Sequence, residues 1–125
     1  MTKRYQSGFK AGEGTASNIT FALQKLHGHG KTKKNFLMLI DLKKSFDYVN
    51  RTKLFEILYA RCHNDQDRHL IKLVELLYKS NYIQIGEHYV ESSAGVPQGG
   101  VISPLLFNIY LEEALLSLPT WNQSI

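Results

Sequence analysis

The sequence predicts helices packed on a small sheet, α+β or mixed α/β, and not a helical bundle. Three observations carry this. The expected elements run helix, strand, two helices, hairpin, helix. A short apolar run, Phe36 to Ile40, is bounded by a lysine-rich loop. Two short stretches rich in Tyr, Ile and Val flank Gly86-Glu87-His88, the pattern of a hairpin. At 125 residues the chain is one domain at most, or a piece of a larger one.

Each element has a local cause. Thr15 to Leu26 reads as a helix, because Ile19, Leu23 and Leu26 form one apolar stripe and Gly28 follows as a stop. His27 to Lys34, with two glycines and three lysines, reads as a loop. Asn35 to Asp41 reads as a strand buried on both faces, since its apolar run does not alternate. Asn50 to Arg61 reads as a helix capped by Asn50, with Leu54, Ile57 and Leu58 on one face. Asp65 to Lys79 is a helix that two aspartates open, at the positive end of its dipole. Leu70, Val74 and Leu77 line one of its faces; Arg68, Lys72, Glu75 and Lys79 line the other. Tyr82 to Ile85 and Tyr89 to Ser93 read as the two strands of the hairpin. The last helix is expected to start with Ser103 as cap and Pro104 at its first position, and to run to about Leu118 before Pro119 stops it.

Composition narrows the class. With 43% hydrophobic and 21% charged residues the chain is globular rather than disordered. Its longest apolar run is five residues, far short of the about 20 a membrane-spanning helix needs, so no membrane role is expected. The opening Met1-Thr2-Lys3-Arg4-Tyr5 has no apolar segment behind it, so the expected location is intracellular, nuclear or cytoplasmic, and not secreted. The single cysteine, Cys62, cannot form an internal disulfide, and the five histidines show no zinc-ligand spacing. Charge is unevenly spread. Residues 1–44 hold nine Lys/Arg and two acids, a balance of +7, whereas residues 45–125 hold six bases and nine acids, a balance of −3. A basic first part points to a polyanionic partner such as nucleic acid, against the plainer reading of a solvated lysine-rich surface.

Three segments could carry chemistry. Asp41 follows the expected strand directly, at its carboxyl end, where ligands collect in sheets covered by helices. Its hard oxygens suit Mg²⁺, and Lys43 and Lys44 suit phosphate; a capping aspartate beside surface lysines is the alternative. Gly95-Val96-Pro97-Gln98-Gly99-Gly100 fixes an unusual backbone path and presents the Gln98 amide from its middle. A helix start lies just downstream, a ready anion site, although any connector from hairpin to helix needs glycine too. Gln6-Ser7-Gly8-Phe9-Lys10-Ala11-Gly12-Glu13-Gly14-Thr15 is glycine-rich and opens a helix, but it lacks the phosphate-loop pattern of glycines followed by Lys-Ser/Thr.

Together these segments resemble reverse transcriptases, in particular those of non-LTR retrotransposons and group II introns. The family's pattern around its first catalytic aspartate is similar to Leu39-Ile40-Asp41-Leu42-Lys43-Lys44-Ser45-Phe46-Asp47-Tyr48-Val49, with Ser45 in place of the more usual alanine. Its second signature resembles Gly95 to Asn108 over fourteen residues. The Gln6 to Thr15 segment resembles the family's fingers motif, with Lys10 where arginine is common. The three occur in family order over about residues 6–118.

The resemblance implies an α+β fold, part of the fingers and palm of a right-hand polymerase. About residues 1–34 would belong to the fingers and about 35–118 to the palm, with 1–125 a partial reverse transcriptase domain. It implies Mg²⁺-dependent nucleotidyl transfer on an RNA template and DNA primer from deoxynucleoside triphosphates. Asp41 would be a catalytic, metal-binding aspartate and the Leu42 carbonyl a further ligand. Backbone amides near Lys44 and Ser45 would face the triphosphate, and Phe46 would be the steric gate beneath the sugar. Gln98 would contact the incoming nucleotide, Pro97 and Gly99 would shape its loop, and Lys10 would lie near phosphates. Asp47 would be structural.

One departure counts most. The family's Tyr/Phe-x-Asp-Asp hairpin does not occur in these 125 residues. One aspartate cannot hold the two metal ions of such a site. The chain by itself is therefore expected to be inactive, a fragment whose remaining palm and thumb normally share its polypeptide, with an open sheet edge and exposed apolar surface. A non-catalytic nucleic-acid-binding relic of a retroelement is the alternative. An unrelated α/β phosphoryl-transfer protein is a third reading, and the antiparallel hairpin speaks against it.

Overall fold

In the computed structural model, residues 6–28, 34 and 36–118 are described. They belong to two compact units, residues 1–43 and 44–125.

The first unit contains helix α1, Thr15–His27. Gly14 is its N-cap, and Ser17, two residues into the helix, satisfies that end: its Oγ accepts the Gly14 N–H at 3.0 Å and donates to the Gly14 carbonyl at 2.8 Å. The Ser7 hydroxyl donates to Asn18 Oδ1 at 2.7 Å and ties the preceding segment to the helix. No α1 residue is buried, and the expected stripe is largely exposed at Ile19 and Leu23. Residues 29–33, most of the expected lysine loop, lie outside the described residues.

The buried strand expected over 35–41 does not form. Asn35 lies outside the described residues; 36–41 are irregular and exposed, Phe36 at 91%. The physical reason is pairing. A strand exists through ladder hydrogen bonds to a neighbour, and among the described residues the sheet consists of the hairpin strands alone.

The second unit holds α2 (Arg51–Ala60), α3 (Asp65–Lys79), β1 (Tyr82–Ile85), β2 (His88–Glu91) and α4 (Ser103–Leu116). Asn50 caps α2 by accepting the Lys53 N–H at 3.0 Å, and Asn64 caps α3 by accepting the Asp67 N–H at 2.8 Å. β1 and β2 pair antiparallel, with Tyr82 opposite Glu91 and Ile85 opposite His88. The turn is therefore two residues, Gly86-Glu87, and Gly86 takes the positive φ of 62° that a tight hairpin needs. β2 starts one residue earlier than expected and stops two earlier, because register with β1 sets its length. Both strands are exposed on both faces.

The core gathers Val49, Leu54, Phe55, Leu58, Tyr78, Val96 and Leu106, with Phe46, Ile71, Val74 and Phe107 packed around it. Phe55 and Tyr78 meet edge to face at 5.9 Å. Helix α4 begins at Ser103 itself, with Ile102 as N-cap and no side-chain cap. Ser103 is not the expected cap: the turn entering the helix bonds its N–H to the Gly100 carbonyl at 3.1 Å and makes it the first helical residue, buried to 1% exposure. Helix α4 ends at Leu116, and Pro119 lies outside the described residues.

Two polar ties join the helices. Arg61, just past α2, donates to Glu112 at 3.2 Å and Glu113 at 3.0 Å on α4. Burial opposes its charge, but the hydrogen bonds to Glu113 and Glu112 outweigh this and raise its pKa. The Tyr59 hydroxyl donates to Glu75 at 2.9 Å, joining α2 to α3. That hydrogen bond, with one from Lys72, holds the Glu75 carboxyl below its usual value. A carboxyl depressed by folding stabilises the fold above its unfolded pKa of about 4.3, and the gain is lost as pH falls through the lower folded value. The urea midpoint should therefore fall on acidification below that range, and Tyr59→Phe should flatten the fall. Parallel pH profiles for the two proteins would refute the assignment.

Candidate functional site

The site is built where two loops of the second unit cross. Lys44, at φ 48°, turns the chain left-handed. Its carbonyl accepts the N–H groups of Asp47 at 3.0 Å and Tyr48 at 3.3 Å. This compact turn presents the Phe46 carbonyl to the second loop. There the Gly95 N–H donates to the Val49 carbonyl at 2.9 Å and the Val96 N–H donates to the Phe46 carbonyl at 2.8 Å. Gly95 sits at φ 80°, and a Cβ there would lie 2.7 Å from the Asp47 carbonyl oxygen and 2.8 Å from Asp47 Cα and the Phe46 oxygen. Only glycine fits so close to another backbone. Gly95→Ala should cost about 3 kcal/mol through backbone overlap and strain, read as a lowered urea midpoint. An unchanged midpoint would show that the loops are not in contact.

From this crossing the second loop winds into α4. The Gly100 N–H donates to the Pro97 carbonyl at 3.3 Å, and the Ser103 N–H to the Gly100 carbonyl at 3.1 Å. Gly99 takes φ 83°. Val96 anchors the loop in the core at 2% exposure, Pro97 is half-buried, and Gln98 and Gly99 face solvent. Phe46 is half-buried and stacks on Phe107 of α4, with centroids 4.7 Å apart and rings 18° from parallel. Such a pair contributes about 1 kcal/mol beyond its area and fixes the ring's plane. Ser45 is half-buried beside it and Lys44 exposed.

The structure thus groups Lys44, Ser45, Phe46, Pro97, Gln98 and Gly99 in one unit, on two loops joined by backbone hydrogen bonds. Asp41, Leu42 and Lys10 belong to the other unit, where Asp41 and Leu42 are exposed and Lys10 is half-buried. Among the described residues no three His, Cys, Asp or Glu side chains converge on a possible metal site. Asp41 and the Leu42 carbonyl are hard oxygen donors of the type Mg²⁺ takes, but alone they fall short of its octahedral shell, so the residues described do not make a complete magnesium site.

Sequence reasoning passed over Arg51. All five of its N–H groups are used. Nε donates to the Gly95 carbonyl at 2.7 Å; Nη1 donates to the carbonyls of Tyr78, at 3.0 Å, and of Ser92; Nη2 donates to Ser92 Oγ at 3.0 Å and the Ala94 carbonyl at 3.1 Å. The guanidinium also lies 5.5 Å from the centre of the Tyr78 ring. Burial lowers its pKa, partly offset by Tyr78. One signal was available: a cation in the first turn of a helix opposes the dipole, so something else must hold it there. Arg51 also walls a groove of about 700 Å³ with Phe55, Tyr59, Glu75, Tyr78 and Ser92, which contains none of the motif residues.

The family model for reverse transcriptase (RNA-dependent DNA polymerase) matches residues 1–124, and the chain belongs to that family. Its relatives include a group II intron-encoded protein and retrovirus-related Pol polyproteins of retrotransposable elements. The chain is 32% identical over 73 residues to the group II intron-encoded protein LtrA of Lactococcus lactis subsp. cremoris, covering 58% of this chain and 12% of that protein. It is 26% identical over 122 residues to the retrovirus-related Pol polyprotein from type-2 retrotransposable element R2DM of Drosophila melanogaster, covering 92% and 11%. It is 33% identical over 106 residues to protein YkfC of Escherichia coli, covering 85% and 27%. The chain therefore spans between about a tenth and about a quarter of the length of these relatives. No solved structure matches it significantly.

Proposed function

We propose that the chain supplies the nucleotide-facing part of an RNA-directed DNA polymerase, with about residues 1–34 in its fingers and 35–118 in its palm. What supports this is the Gly95 crossing, which locks the Phe46 turn to the Gln98 loop. In this reading Phe46 lies beneath the sugar of the incoming deoxynucleoside triphosphate and rejects a 2′-hydroxyl by occupying its space. Stacking on Phe107 keeps the ring in place. Gln98 offers donor and acceptor groups to the nucleotide from a loop that Pro97 and Gly99 shape. The Lys44 and Ser45 amides face the triphosphate, and Lys10 adds positive charge in the fingers. Asp41 and the Leu42 carbonyl contribute ligands to Mg²⁺, and the remaining ligands come from the Asp-Asp hairpin of the family. Magnesium, when bound, supplies charge stabilisation to the attacking and leaving oxygens. Without that hairpin the 125 residues alone do not extend a primer.

A second reading, a nucleic-acid-binding relic without catalysis, draws on the +7 balance of residues 1–44. Hydrogen–deuterium exchange on the chain separates the two. Adding an RNA–DNA hybrid and then a deoxynucleoside triphosphate should slow exchange at 95–100 at the second addition. Slowing confined to 1–44 on hybrid addition alone would favour the relic.

A further inference from the structure

We infer that Arg51 is the positioning residue of this site: its fork of hydrogen bonds fixes the Gly95–Gly100 loop against the Phe46 turn and so sets where Gln98 meets a nucleotide. The functional half of this inference rests on the nucleotide reading above; the structural half stands on the geometry alone.

The hydrogen-bond inventory carries it. A guanidinium has five N–H donors in a rigid planar fork. Here all five are matched, by four backbone carbonyls and one hydroxyl. Three of those carbonyls, from Ser92, Ala94 and Gly95, lie on the strand-to-loop segment immediately before Val96. The fourth, from Tyr78, belongs to α3. One side chain at the start of α2 therefore holds the exit of the hairpin, the end of α3 and the root of the Gln98 loop together. Past Glu91 the Ser92 N–H still donates to the Asn81 carbonyl at 2.8 Å, and Arg51 takes the carbonyls of Ser92, Ala94 and Gly95 as the chain leaves the hairpin. No carboxylate among the described residues forms an ion pair with Arg51. Its task is thus geometric rather than charge pairing. Lysine cannot replace it, because an ammonium offers three donors and no plane.

The test uses amide exchange and nucleotide titration of the ¹⁵N-labelled chain by NMR, on wild type, Arg51→Ala and Arg51→Lys. Gly95 and Val96 amides should exchange at least about tenfold faster in Arg51→Ala than in wild type, while α3 and α4 amides keep their protection. Arg51→Lys should recover little of this. Equal loss of protection across all helices, or none at Gly95 and Val96, would overturn the clamp. Should Arg51→Ala fail to fold, the same comparison made with Arg51→Lys decides the point. In the chain joined to the Asp-Asp hairpin, titration with a deoxynucleoside triphosphate and Mg²⁺ should shift the Gln98 side-chain amide in wild type, with affinity reduced about tenfold in the variants. A wild-type shift with unchanged affinity in the variants would overturn the positioning role. No wild-type shift beside a confirmed exchange effect would overturn the nucleotide reading, and leave Arg51 a fold-holding residue only.

Discussion

Joined to a downstream hairpin bearing the Tyr/Phe-x-Asp-Asp motif, the chain should extend a DNA primer on an RNA template, and Asp41→Asn should abolish that extension. The expected loss is at least about 10³-fold in turnover, since removing a ligand charge from a metal site strips stabilisation that exists mainly in the transition state. Folding should be unaffected. Asp41 is exposed and neither caps a helix nor fills the core, so its urea midpoint should move by no more than about 0.5 kcal/mol equivalent. This separation distinguishes a metal ligand from a structural aspartate. Retained extension in Asp41→Asn would remove the residue from the site.

The second large effect concerns sugar choice. Phe46→Ala in the same polypeptide should raise ribonucleotide incorporation relative to deoxyribonucleotide by about 10- to 100-fold, because a gate that excludes one oxygen atom acts by volume alone. The variant should also lose stability, since it removes a half-buried ring stacked at 4.7 Å on Phe107. The ratio of incorporated sugars is insensitive to the amount of folded protein, so it isolates the gate from the stacking partner. Phe107→Leu should cost stability but shift the ratio much less. An unchanged ratio in Phe46→Ala would refute the assignment.

Much of the fold was legible where two local signals agreed. Helix α3 occupies the expected residues, Asp65–Lys79, because an acidic first turn and an amphipathic pattern both specify it. β1 likewise matches at Tyr82–Ile85, where a glycine turn fixes the end. Local signals failed where the cause was distant. The run at 36–40 is apolar enough for a buried strand, but apolarity says nothing about which segment pairs with it, and here it stays exposed. Ser103 has the chemistry of a cap, yet tertiary packing at the Gly100 turn buries it instead.

The candidate site divides along the same line. Phe46, Gln98 and the glycines around it stood out by resemblance, and the structure puts their two loops in hydrogen-bonded contact. That Gly95 is required by the Phe46–Asp47 backbone, nearly fifty residues away in sequence, was not visible in the motif. Arg51 escaped notice for the same reason. Its acceptors lie 27 to 44 residues downstream, and no periodicity or spacing records such a pairing.

The most direct measurement is a crystal structure of the chain, joined to the Asp-Asp hairpin, with an RNA–DNA duplex, Mg²⁺ and a deoxynucleoside triphosphate. A shared polymerase cleft requires the Asp41 carboxylate on the metal that touches the triphosphate and the Gln98 side chain on the same nucleotide. Finding those two side chains on opposite faces of the molecule, or the nucleotide away from both, would contradict it.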